Sequence, residues 1–82
     1  MWIKIRNKLI NANSINSISI VDSRNTPLLY EHEQGYVLVF HIDSEEIYSP
    51  LYATLARAQE VLDALYLALH DSSFNHFDMP EA

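Results

Sequence analysis

The chain has 82 residues, a net charge of −6 and no cysteine, and 49% of its residues are hydrophobic against 20% charged. That length makes one domain with a thin core, burying roughly 60–65% of the surface its unfolded form exposes. The missing cysteine excludes disulfides and thiolate zinc sites, two of the usual supports for small domains, and leaves oligomerisation as the third.

Charge is unevenly spread. Residues 1–24 hold Lys4, Arg6, Lys8 and Arg24 against Asp22, for +3; residues 25–82 hold Arg57 against ten acids, for −9. So acidic a body opposes generic phosphate binding, which rests on neutralising cations. Residues 1–6 alternate apolar and basic side chains without the apolar run of a signal peptide, and the longest apolar run, 36–40, is strand-sized. The expectation is a soluble cytoplasmic protein with no membrane association.

In chain order, residues 2–6 alternate, with Trp2, Lys4 and Arg6 on one face and Ile3 and Ile5 on the other, as in a half-buried strand. Asn7 and Lys8 make a tight turn, and Leu9-Ile10-Asn11 returns as a second strand. Asn11-Ala12-Asn13-Ser14 breaks the pattern, because Asn and Ser bond to nearby backbone. Residues 15–22 form a third strand with Ile18 and Ile20 on one face. Residues 23–34 are the longest loop, ended by the sole glycine, Gly35; within it Leu28-Leu29-Tyr30 is apolar enough to extend a strand or to fold over a sheet edge. Residues 36–42 form the central strand, apolar on both faces: Tyr36, Leu38, Phe40 and Ile42 on one, Val37 and Val39 on the other. Asp43-Ser44 turns into a last strand over 45–52, which Pro50 places at an edge or bulges.

Thr54 is a good N-cap for a helix over 55–69. Its apolar stripe is Leu55, Ala58, Leu62, Leu65 and Leu69, flanked by Val61 and Tyr66. The helix ends near Asp71-Ser72-Ser73. Residues 73–82 have two Phe but no period, and read as a mobile or loosely docked tail on a single domain of residues 1–72. The expected fold is α+β: a four- to five-stranded antiparallel β-meander with one C-terminal amphipathic helix packed on one face. The expected core is Ile3, Ile5, Ile10, Ile18, Ile20, Leu38, Phe40 and Ile47 with the five stripe residues of the helix.

Trp2-Ile3, Leu9-Ile10-Asn11, Ile15, Ile18 and the Tyr52-x-Thr54-x-x-x-Ala58-x-x-x-Leu62-x-x-Leu65 pattern resemble small uncharacterised bacterial and phage-type proteins. These have an N-terminal β-hairpin, further antiparallel strands and a C-terminal helix. The resemblance spans residues 2–69 and implies that architecture; it carries over no site. The 23–34 loop and the 70–82 tail depart from it.

No catalytic apparatus is legible. The eight serines lack a nucleophile elbow, and one glycine cannot build a phosphate loop. His32 stands between Glu31 and Glu33 and His41 lies near Asp43, but no histidine pair has convergent helical spacing, so no metal, cofactor or catalytic residue is assigned. His41, which shares a strand face with Val37 and Val39, is the histidine closest to burial. Three functional readings follow, the last and weakest a histidine–carboxylate metal site involving His32 or His41. The first is a non-enzymatic interaction or oligomerisation module, a homodimer or higher or the binder of another protein, with Val37, Val39, Ala64, Leu67 and Ala68 as surplus apolar surface. The alternative is nucleic-acid or nucleotide binding by Trp2, Lys4, Arg6 and Lys8, an aromatic group with three cations.

Overall fold

A computed structural model describes residues 1–25, 33–71 and 73–81. The chain is α+β, with six short strands in two sheets and one helix: β1 (Trp2–Ile5), β2 (Lys8–Asn11), β3 (Ser17–Asp22), β4 (Tyr36–Ile42), β5 (Glu45–Tyr48), α1 (Leu55–Leu69) and β6 (His76–Asp78). Among the described residues no helix is long and apolar enough to cross a membrane.

The expected single meander divides into two three-stranded sheets, ordered β2-β1-β6 and β3-β4-β5. Pairing is antiparallel except for β1 with β6, which is parallel, with Trp2 opposite His76 and Lys4 opposite Asp78. The segment expected to be a loosely held tail therefore carries a strand. The amide of Trp2 donates to Asn75 O at 3.0 Å and that of Met79 to Lys4 O at 2.9 Å. Three residues are too few to show a period, so β6 exists because β1 presents an unpaired edge.

Both hairpins turn in two residues. Ile5 faces Lys8 across Arg6-Asn7, and Ile42 faces Glu45 across Asp43-Ser44. The first loop residue of each takes a positive φ, 53° at Arg6 and 52° at Asp43. Tight hairpin loops require left-handed backbone to match strand twist. The first turn sits one residue earlier than the side-chain types suggest, because alternation places Lys8 in register with Ile5.

β5 stops at Tyr48. Leu38 takes its partners from one residue: its amide donates to Ser49 Oγ at 2.8 Å and its carbonyl accepts from Ser49 N at 2.9 Å. Tyr36 then pairs with Tyr52, so Val37 faces both Pro50 and Leu51, a bulge that accommodates the residue lacking an N–H.

The inner faces of both sheets and one side of α1 share a single core, which holds Ile3, Ile5, Ile10, Leu38, Phe40, Ile47, Tyr52, Ala58, Val61, Leu65 and Met79. Ile18, Ile20 and Leu62 pack against it half-buried. Leu55 and Leu69, expected inside, are 52% and 41% exposed, whereas Val61 and Ala68 are buried. The helix is turned roughly 60° from its hydrophobic stripe, at 100° per residue. Ala58, Val61, Leu65 and Ala68 are the buried residues of the helix, while Leu55 and Leu69 are left on the flank.

Candidate functional site

The turned helix creates the most distinctive surface of the molecule. Ala58, Val61, Leu65 and Ala68 form the buried seam. Beside it runs a second seam, Leu55, Gln59, Leu62, Tyr66 and Leu69, spaced four, three, four and three residues apart. Such alternation is the a/d repeat by which one helix packs on another. Leu62 is half-buried; the other four are exposed, Tyr66 to 58%. Thr54 holds the start of the helix, its Oγ1 accepting from Arg57 N at 3.1 Å.

The outer seam forms one wall of an open groove. Leu62, Leu65, Tyr66 and Leu69 face Ala12, Ile15 and Ile18, with Asn16 and Ser17 as the polar part of its lining. The far wall is placed by a 3-10 turn over Ala12–Ser14, in which Asn11 Oδ1 accepts from Asn13 N at 3.0 Å and Ala12 N donates to Met1 O at 2.9 Å. Tyr66 is held from behind: its ring lies 4.2 Å from that of His70, whose Nδ1–H donates to Tyr66 O at 2.8 Å. No charged side chain lines the groove. It can take up apolar side chains.

The interface residues expected from sequence separate into two groups. Val37, Val39 and Ala68 are buried within the chain and cannot meet a partner. Ala64 is exposed and Leu67 is 67% exposed, but both lie on the side of α1 away from the groove. The residues sequence reasoning missed are Leu55, Tyr66 and Leu69. The 4-3 repeat could have found them, had the buried stripe been known to be its neighbour.

The basic residues do not form one patch. Trp2, Lys4, Arg6 and Lys8 are all exposed. Lys4 and Arg6, however, share a depression with Asp78 and Glu81, carboxylates brought in from the far end of the chain. Lys8 is opposite Ile5 in the hairpin and so lies on the other face from Lys4, in a second depression with Arg6, Glu46 and Tyr48.

His41 lies on the outer face of the β3-β4-β5 sheet, half-buried, with Nε2 3.4 Å from Ser19 Oγ. Glu46 stands across from it on β5, but accepts from the Tyr48 hydroxyl at 2.8 Å. A long Ser–His contact whose neighbouring carboxylate is turned to a tyrosine lacks the aligned relay of an activated hydroxyl. Among the described residues no group of three or more His, Cys, Asp or Glu could hold a metal. His32 and the Leu28-Leu29-Tyr30 edge cover lie outside the described residues.

The perturbed titrations are structural in origin. A bidentate contact from Arg24, with its backbone amide, lowers the Asp22 carboxyl and raises Arg24, pinning the end of β3. The Ser73 hydroxyl and amide lower Asp71 just beyond α1. Burial pushes the Tyr52 phenol up to about 12, its hydroxyl donating to Pro80 O at 2.7 Å.

No family model, curated protein or solved structure matches the chain.

Proposed function

We propose that the protein is a non-enzymatic interaction module, and that its working surface is the outer seam of α1 with the groove beside it. One observation carries this reading: Leu55, Tyr66 and Leu69 are left in water on a helix whose core-facing needs are already met by Ala58, Val61, Leu65 and Ala68. Single exposed apolar residues are ordinary, whereas a row of them on one helix face, two of which, Tyr66 and Leu69, line an apolar groove, suits a polypeptide partner. Amide chemical-shift mapping tests the reading, as protein concentration rises and as amphipathic helical peptides are added. Shifts gathered at residues 12–18 and on the outer face of α1 support it; unchanged spectra in both series refute it.

Nucleic-acid or nucleotide binding through Trp2, Lys4, Arg6 and Lys8 is the lesser proposal. Asp78 and Glu81 beside Lys4 and Arg6 offset the charge a phosphate would need, and Lys8 faces elsewhere. The expected outcome of titrating single-stranded oligonucleotides at low salt is no change in Trp2 emission. A quench that disappears as salt is raised would instead establish phosphate contact at this strand.

A further inference from the structure

We propose that the chain pairs with a second copy of itself through β3, edge to edge and antiparallel, so that the two β3-β4-β5 sheets run on as one. The proposal rests on the interaction-module reading and names the partner and the element that meets it.

β3 ends its sheet, with no strand of the described residues beyond it. Edge strands are usually protected by shortness, charge, proline or a bulge. β6 is three residues long, β2 opens with Lys8, and β5 carries Glu45 and Glu46 and gives way to the bulge at Pro50. β3 lacks such guards along its run. Its six residues pair with β4 in unbroken register, and Ser17 to Val21 is uncharged and rich in β-branched side chains. Asp22 at its end is held by Arg24 at 2.7 Å.

The main chain specifies an extended partner. Ser23 N donates to Gly35 O at 2.9 Å, and bonding alternates along an antiparallel ladder, so Ser17, Ser19 and Val21 turn their amides and carbonyls to β4. Those of Ile18, Ile20 and Asp22 point away from the sheet. Such a row is met by another strand, as a helix or a small ligand cannot follow its spacing. A second β3 fits it reciprocally. With a two-fold axis at Ser19, Ile18 of each copy stands opposite Ile20 of the other and exchanges main-chain bonds with it. Asp22 falls across from Asn16, so no like charges face one another although each chain carries −6. Ser17 and Ile18 also line the groove beside α1, and the partner's Ile20, set opposite Ile18, extends that wall.

Sedimentation equilibrium of the full chain, with charge placed at Ser19, tests this. Ser19 lies on the outer face of the sheet, near His41, and meets its own counterpart across the axis. The wild type should form a dimer. Ser19→Lys and Ser19→Asp should each raise its dissociation constant at least about tenfold, and an equal mixture of the two should recover most of that loss. Damage to the fold of either variant would not be cured by mixing. Variants that weaken the dimer and stay apart when mixed overturn the pairing at Ser19. A dimer that ignores both Ser19 variants and is dissociated by Tyr66→Ser with Leu69→Ser makes α1 the contact; this overturns the strand pairing and keeps the interaction module. A dimer indifferent to every one of these substitutions overturns both. A strict monomer overturns the strand pairing, and the module then stands or falls on the peptide series alone.

Discussion

Ser23 and Gly35 tie the loop that brings β3 round to β4. Ser23 is buried; its Oγ donates to Glu33 O at 3.1 Å and accepts from Gly35 N at 2.9 Å, and its own amide donates to Gly35 O at 2.9 Å. Gly35 has no positive φ, so conformational freedom is not its use here. A Cβ at this position would run into the carbonyl oxygen of Tyr52, the group that accepts from Tyr36 N at 2.7 Å. Gly35→Ala should therefore force the Tyr36–Tyr52 bridge apart and cost about 1–3 kcal/mol, read from a urea melt. An unchanged midpoint would mean the backbone is not packed so closely. Tyr52 also links structure to pH. Its phenol titrates near 12 in the folded chain against 10.0 when unperturbed. Between those values the unfolded chain releases the proton first, so this contribution to stability is complete below pH 10 and is lost as pH rises towards 12. Tyr52→Phe should lose about 1 kcal/mol at neutral pH with the bond to Pro80 O, and should show a shallower alkaline fall than wild type. Parallel curves of stability against pH would contradict the burial argument.

The helix shows how far an element's own pattern can mislead about its orientation. Summed hydropathy points to the side with most leucines, but the residues that are buried are Ala58, Val61, Leu65 and Ala68. Replacement of buried Leu65 by Ala should cost about 2–5 kcal/mol, whereas Leu69→Ser, on the exposed seam, should stay within about 0.5 kcal/mol. Equal losses in thermal or urea melts would return the helix to its leucine-centred orientation. The same contrast makes the interaction variants usable, because they alter the surface without emptying the core. The first hairpin, by comparison, keeps the strand faces its alternation sets, although its turn falls one residue early. Alternation in β1 and β2 puts Ile3, Ile5 and Ile10 on one face, and that face is the buried one.

For the whole molecule, closure depends on a pairing between the ends of the chain. β6 lies alongside β1, Met79 is buried beneath it, and Tyr52 bonds to Pro80 just beyond. Removing residues 74–82 should lower stability by about 2–5 kcal/mol through the lost Met79 packing alone, with the β1 ladder bonds in addition. A truncated chain with the wild-type urea midpoint would show that β6 lies outside the cooperative unit. Charge acts at the same scale. Folding sets the acidic end of the chain against its basic start, where Asp78 and Glu81 stand beside Lys4 and Arg6. A segment that reads as a phosphate-ready strand thereby becomes a mixed-charge surface.

Alone, the sequence determined what depends on neighbours within a few residues: the inner faces of β1, β2 and β4, the bulge at Pro50, the Thr54 cap and the helical run it opens. These follow from side-chain direction repeating every two residues in a strand and every 3.6 in a helix, and from local hydrogen bonds. Tertiary structure alone decided the division into two sheets, the recruitment of 76–78 as a strand, the burial of Val37 and Val39, and the turn of α1 that exposes its second seam. Each of those depends on the volume and edge presented by residues far away in the chain, which no local period records.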